Sequence, residues 1–228
     1  MKKLLKYLIS TFIIIIFIYY GAGFYVAYQI LKIDFSCGMH EGSLPNTWST
    51  SIDAHQYNDI SQRKLRENFP YQNYHLDEWQ EVYFLSRERD IKINGWLFNY
   101  FPNRPIIIVT HGINPNGKCK SESNLITSLL VSKNFNVLTI DLRNYGQSDR
   151  TSEYEDLGLK SYKDVLGAFD FLKNIGFKSS QIGLHGISLG ASTSIFAAHE
   201  EPEILAIWSD SPIAEFKMAL TDEIARYG

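Results

Sequence analysis

Residues Ile182 to Ala198 constrain the fold of this chain more than any other stretch. A short apolar run leads into Gly186-Ile187-Ser188-Leu189-Gly190, and small and apolar residues at helical spacing follow. The order reads as strand, sharp turn and helix, with a serine at the turn. Such a turn strains the serine backbone and lifts its hydroxyl above a sheet, while flanking glycines keep side chains out of a crowded bend. Ser188 is therefore the candidate nucleophile, and Gly186 and Gly190 the elbow glycines. The plainer alternative is that these glycines merely shape a turn, because Gly-x-Ser-x-Gly also arises by chance.

An upstream segment favours the chemical reading. Pro105-Ile-Ile-Ile-Val109 is a β-branched run suited to a strand buried on both faces, and it ends in Thr110-His111-Gly112-Ile113. Gly112 permits a tight turn at the strand's carboxyl end. There the backbone N–H of Ile113 can point into a cleft beside the N–H of Leu189, and two such donors make an oxyanion hole for acyl transfer. His111 precedes the serine and sits at this turn, so we read it as a structural histidine bonding loop backbone, not as a base.

Two further buried-strand patterns end in polar turns: Asn136 to Ile140 running into Asp141-Leu-Arg143-Asn-Tyr145-Gly146-Gln-Ser148, and Leu205 to Trp208 running into Asp210-Ser-Pro212. With these turns the chain resembles the α/β-hydrolase superfamily from about Trp79 to its end. Its Asp-x-Arg-x-Tyr-Gly-x-Ser and Asp-Ser-Pro turns look most like membrane-anchored serine hydrolases of the BEM46-like group. The resemblance implies an α/β fold, a mostly parallel doubly wound sheet with helices on both faces, and a site at the carboxyl ends of the strands. Trp79 to Leu85 and Ile91 to Tyr100 fit the opening antiparallel hairpin. Leu125 to Lys133 and Tyr162 to Ile175 fit crossover helices. Asp164 and Asp170 on the second helix read as solvated or capping charges.

Composition sets outer bounds. A chain of 228 residues with 45% hydrophobic content and net charge −3 can bury one substantial core and has no basic excess to recruit nucleic acid. Two cysteines, Cys37 and Cys119, exclude a disulfide framework or zinc cluster; one bridge and two free thiols both remain open. Lys2, Lys3 and Lys6 precede an uncharged run from Tyr7 to Leu31. As a helix that run reaches roughly 37 Å, enough to cross a hydrocarbon core. It is longer than the apolar core of a secretory signal, so we expect an uncleaved single-pass anchor with residues 1–6 cytoplasmic and the hydrolase domain outside. Residues 32–77 read as a linker and amino-terminal extension, with a short helix around Ser61 to Asn68, and 78–228 as the hydrolase domain. His40, His55 and His75 there are irregularly spaced, and no pattern indicates a metal.

A serine hydroxyl needs a base, ordinarily a histidine oriented by a carboxylate, and this superfamily orders them serine, acid, histidine. After Ser188 the sequence holds only His199. It lies eleven residues along the same helix, roughly 16 Å away, and cannot reach the hydroxyl. Asp210 is a secondary candidate for the acid and reads mainly as a turn residue near the site. The chain ends at Gly228 where the family carries a cap, further strands, the acid and the histidine. The expectation is a truncated serine hydrolase for a small-molecule or peptide acyl substrate, needing no cofactor and turning over little in this form. The alternative is a non-catalytic membrane-tethered module or decayed remnant.

Overall fold

A computed structural model describes residues 2–33, 43–48, 69–88, 90–112 and 119–213. The chain divides into two units, Met1–Lys32 and Ile33–Gly228. The first is a 30-residue helix, α1 (Lys2–Leu31). Its stretch Lys3–Tyr28 has a mean hydropathy of 2.0 and is long and apolar enough to cross a membrane.

The second unit is built on six strands: β1 (Gln80–Leu85), β2 (Lys92–Phe98), β3 (Ile106–Thr110), β4 (Asn136–Ile140), β5 (Ile182–Ile187) and β6 (Ile207–Asp210). Three helices accompany them: α2 (Asn124–Ser132), α3 (Tyr162–Asn174) and α4 (Leu189–Glu200). Expected and observed bounds agree within a few residues. The expected helix at Ser61 to Asn68 lies outside the described residues.

The strands lie in the order β1-β2-β4-β3-β5-β6. The pairs β1–β2 and β2–β4 are antiparallel, and β4–β3, β3–β5 and β5–β6 are parallel. This is the sheet that the resemblance implies, mostly parallel after its opening hairpin. Alternation along β3 shows how it is covered. Ile106 and Ile108 pack with Val165, Phe169 and Leu172 of α3 and Leu189 of α4 on one face. Val109 packs with Val131 of α2, Trp96, Phe98 and Val137 on the other. Because successive strand side chains point to opposite faces, a strand buried on both must be apolar throughout, which is why β3 reads as an unbroken β-branched run.

Asp164 departs from the expectation of a solvated or capping charge. It is fully buried, and Arg143 grips it from Nη2 at 2.7 Å, from Nε at 3.1 Å and from its own backbone N–H at 2.9 Å. Burial opposes the guanidinium's charge, but the bonds to Asp164 and Glu88 outweigh it and hold Arg143 above its ordinary pKa. A carboxylate in the first turn of α3 can be buried here only because Arg143, 21 positions upstream, supplies the counter-charge and the donors. Asp170 accepts two bonds from Arg87 at the surface.

Candidate active site

The site forms where β5 turns into α4. Ser188 occupies the turn at φ 51° and ψ −109°. Its N–H donates to the Asp210 carbonyl at the end of β6 (2.8 Å), and its carbonyl accepts from Ser192 N–H (3.1 Å), the first bond of the helix. The turn is tight enough to dictate its neighbours. A Cβ at Gly190 would lie 2.6 Å from the carbonyl oxygens of both Thr110 and His111, and one at Gly186 would run into the Gly190 carbonyl. Both contacts fall inside van der Waals distance, so these two positions require glycine for space.

β3 and β5 share the elbow between them. Gly190 N–H donates to the His111 carbonyl (3.0 Å), while Thr110 Oγ1 donates to the Gly190 carbonyl (3.1 Å). Ser188 is half-buried, and its Oγ engages no hydrogen-bond partner among the described residues. Leu189 begins α4, so its N–H is one of the helix's unpaired amino-terminal donors, and the positive end of the helix dipole lies beside the serine.

The turn after β3 is held by His111. Its Nε2 accepts the Leu142 N–H (3.1 Å), which leaves the proton on Nδ1 to be donated to the Gly112 carbonyl (2.7 Å). Complete burial lowers its pKa, so the ring stays neutral. The ring also packs edge-on against Tyr145, with centroids 4.6 Å apart. With both nitrogens committed to backbone groups, His111 is not available as a base. Ile113, the other expected oxyanion donor, lies outside the described residues. Gly112 itself accepts from His111 and donates its N–H to Glu122 Oε2 (2.7 Å).

Asp210 reaches the site through its backbone, and its carboxylate accepts from Ser211 Oγ (3.0 Å). His199 is exposed on α4. His185, on β5, is buried with Nδ1 unpaired and its ring tilted against Trp208. No hydrogen bond joins any of these histidines to Ser188 among the described residues.

Sequence reasoning did not single out Lys120 or Glu122, and it read Asp141 only as part of the polar turn after its strand. Asp141 directly follows β4 and is fully buried, and its carboxylate accepts from Lys120 Nζ, from Lys120 N–H (2.8 Å) and from Gln147 N–H (3.2 Å). Burial opposes its charge, but Lys120 more than compensates and holds the carboxyl below its ordinary pKa. Lys120 Nζ also donates to Asn94 Oδ1 and lies 4.6 Å from the Trp96 ring centroid. Among the described residues no group of His, Cys, Asp and Glu is arranged to hold a metal ion.

A parallel sheet with a strained serine at the turn from strand to helix defines a class, and comparison with known proteins agrees with it. Residues 105–226 match the family described as alpha/beta hydrolase fold. The chain belongs to that family. Among curated proteins it is similar to thiohydrolase aneE of Aspergillus aculeatus, 31% identical over 139 residues, covering 60% of this chain and 42% of that protein. It is also similar to acyltransferase drtE of Aspergillus calidoustus, 27% identical over 136 residues, covering 59% and 43%. The chain thus matches less than half the length of either relative. Among solved structures, the Pyrococcus furiosus esterase PF2001 aligns with a TM-score of 0.59 at 24% identity, covering 70% of this chain and 58% of that one. The alpha/beta hydrolase GrgF from Penicillium aligns at 0.54 and 20%, covering 66% and 55%.

Proposed function

We propose that this protein is a membrane-anchored serine hydrolase of the BEM46-like kind, in which Ser188 attacks the carbonyl of an acyl substrate. The observation that carries the reading is Ser188 itself, held at φ 51° between two glycines that nothing larger could replace, at the amino terminus of α4. A hydroxyl held there meets the carbonyl carbon as the Leu189 N–H meets the oxygen on which charge develops. The second donor is Ile113.

The base and acid are the incomplete part. His111 has no free nitrogen, and His199 stands exposed and too far along its helix. We propose that a histidine and an acid from outside these 228 residues complete the site, Asp210 remaining the secondary candidate for the acid, and that this chain alone turns over slowly. The name of the thiohydrolase it resembles supports a hydrolytic reading, and thioesters join esters and amides among the substrates to try. The three amino-terminal lysines and α1 support an anchor with the hydrolase unit outside the cytoplasm.

The test is labelling of the membrane-extracted chain by a fluorophosphonate, beside Ser188→Ala and any longer form its gene encodes. Labelling lost in Ser188→Ala is the expected result. No labelling of any form would leave a non-catalytic tethered module.

A further inference from the structure

The turn that carries the expected oxyanion donor is held by a side chain with no place in the reaction. Gly112 has no side chain of its own to fix it, yet both of its backbone polar groups are committed. His111 Nδ1 donates to its carbonyl, and its N–H donates to Glu122 Oε2 at 2.7 Å. Glu122 belongs to the short 3-10 turn Lys120–Ser123, where its own N–H donates to the Cys119 carbonyl (2.9 Å). Lys120, only two residues earlier, anchors that turn. It is 3% exposed, with Nζ bonded to Asn94 of β2 and Asp141 directly after β4 and its N–H bonded to the other Asp141 oxygen. The adjoining Cys119 is fully buried and disulfide-bonded. An unbroken line of fixed groups therefore runs from two central strands through Asp141, Lys120 and Glu122 to Gly112.

We propose that Glu122 is a positioning residue for the hydrolase reaction: seated by the Lys120–Asp141 pair, its carboxylate fixes the peptide at Gly112, the turn after β3 whose His111 carbonyl is bonded to the Ser188 elbow at Gly190. This rests on the hydrolase reading above. A buried ion pair costs desolvation and is weak evidence for stability by itself. Its use here is register: the immobile lysine two residues earlier seats the carboxylate against the Gly112 N–H. Preorganised donors are effective in acyl transfer to the extent that they do not move as charge develops.

The experiment uses the whole chain in detergent with Glu122→Ala and the conservative Glu122→Gln, and it has two readouts. The first is hydrogen exchange. Glu122→Ala raises exchange at the Gly112 amide by about tenfold, the scale of one lost hydrogen bond, while Glu122→Gln keeps most of the protection. The amides of Ile108 and Leu138 in the central strands stay unchanged. The second is the kinetics of fluorophosphonate labelling at Ser188. Glu122→Ala lowers the maximal inactivation rate by about tenfold and leaves the half-saturating probe concentration unchanged, and Glu122→Gln restores the rate. Unchanged exchange at Gly112 in Glu122→Ala would overturn the proposal, as would raised exchange with an unchanged labelling rate. If the 228-residue chain is not labelled, the rate is read on the longer form its gene encodes; absence of labelling in every form removes the hydrolase reading and the positioning role with it, while the exchange result still decides whether Glu122 holds Gly112.

Discussion

An L-residue at φ 51° and ψ −109° stores backbone strain, on the order of 1–3 kcal/mol, that the surrounding structure must hold in place. At Ser188 the holders are visible: the Asp210 carbonyl on its N–H, Ser192 on its carbonyl, and Thr110 bonded across to Gly190. If the strain serves the hydroxyl, removing the side chain should release it. Ser188→Gly is expected to stabilise the protein by about 1 kcal/mol in chemical denaturation and to abolish labelling, whereas Ser188→Ala abolishes labelling without the gain, because alanine keeps the Cβ. Equal stability of the two variants would mean that the turn is unstrained. Gly190→Ala tests the same turn from the other side. Its Cβ would have to displace backbone carbonyls of β3, and a loss of about 1–3 kcal/mol or more is expected.

At the scale of elements, the strands and helices were legible because each buries a patterned face. The run from Ile106 to Val109 must be a strand covered on both sides, and Val165, Leu166, Phe169 and Leu172 must share one helix face. The strand order, with β4 between β2 and β3, is not written in any local pattern and was not among the expectations. Partners distant in sequence were illegible for the same reason. Asp164 read as a solvated or capping charge because nothing near it in sequence names Arg143, and Lys120 drew no reading because its seat is made by Asn94 and Asp141. Such buried pairs make sharp predictions. Lys120→Met leaves Asp141 charged and uncompensated, and should cost about 3–5 kcal/mol in denaturant melts, with part of the loss recovered by adding Asp141→Asn.

The loop after β4 makes a pH prediction. Glu155 accepts from Tyr145 Oη and from the N–H groups of Asp156 and Leu157, but burial dominates and pushes its pKa up to about 7. The unfolded chain ionises this carboxyl near its ordinary 4.5, so between that value and about 7 the folded state binds more protons and stability falls as pH rises. The full contribution is about 3 kcal/mol, present at low pH and lost above neutrality. Glu155→Gln should flatten thermal stability between about pH 5 and 8, and an unchanged slope would place the titration elsewhere.

For the whole molecule, the proposed anchor raises the question of which side of a membrane the second unit would occupy, and two independent features bear on it. Lysines before α1 favour an amino terminus in the cytoplasm and therefore a hydrolase unit outside it. Cys119, fully buried and disulfide-bonded, argues the same way from redox chemistry, since thiols in the cytosol are ordinarily kept reduced. The sequence alone left a bridge and two free thiols equally open. Charge bias and redox state can be tested together in one preparation. Membranes are isolated with a thiol-blocking reagent present throughout, the protein is unfolded in denaturant so that burial no longer protects Cys119, and alkylation is read by mass before and after reduction. With the hydrolase unit outside, the chain takes up no label until reduced and then takes up two, one for each cysteine in the sequence. Two labels before reduction would put Cys119 in a reducing compartment, reverse the orientation drawn from the lysines, and leave the Lys120–Asp141 pair alone to seat the turn that carries Glu122.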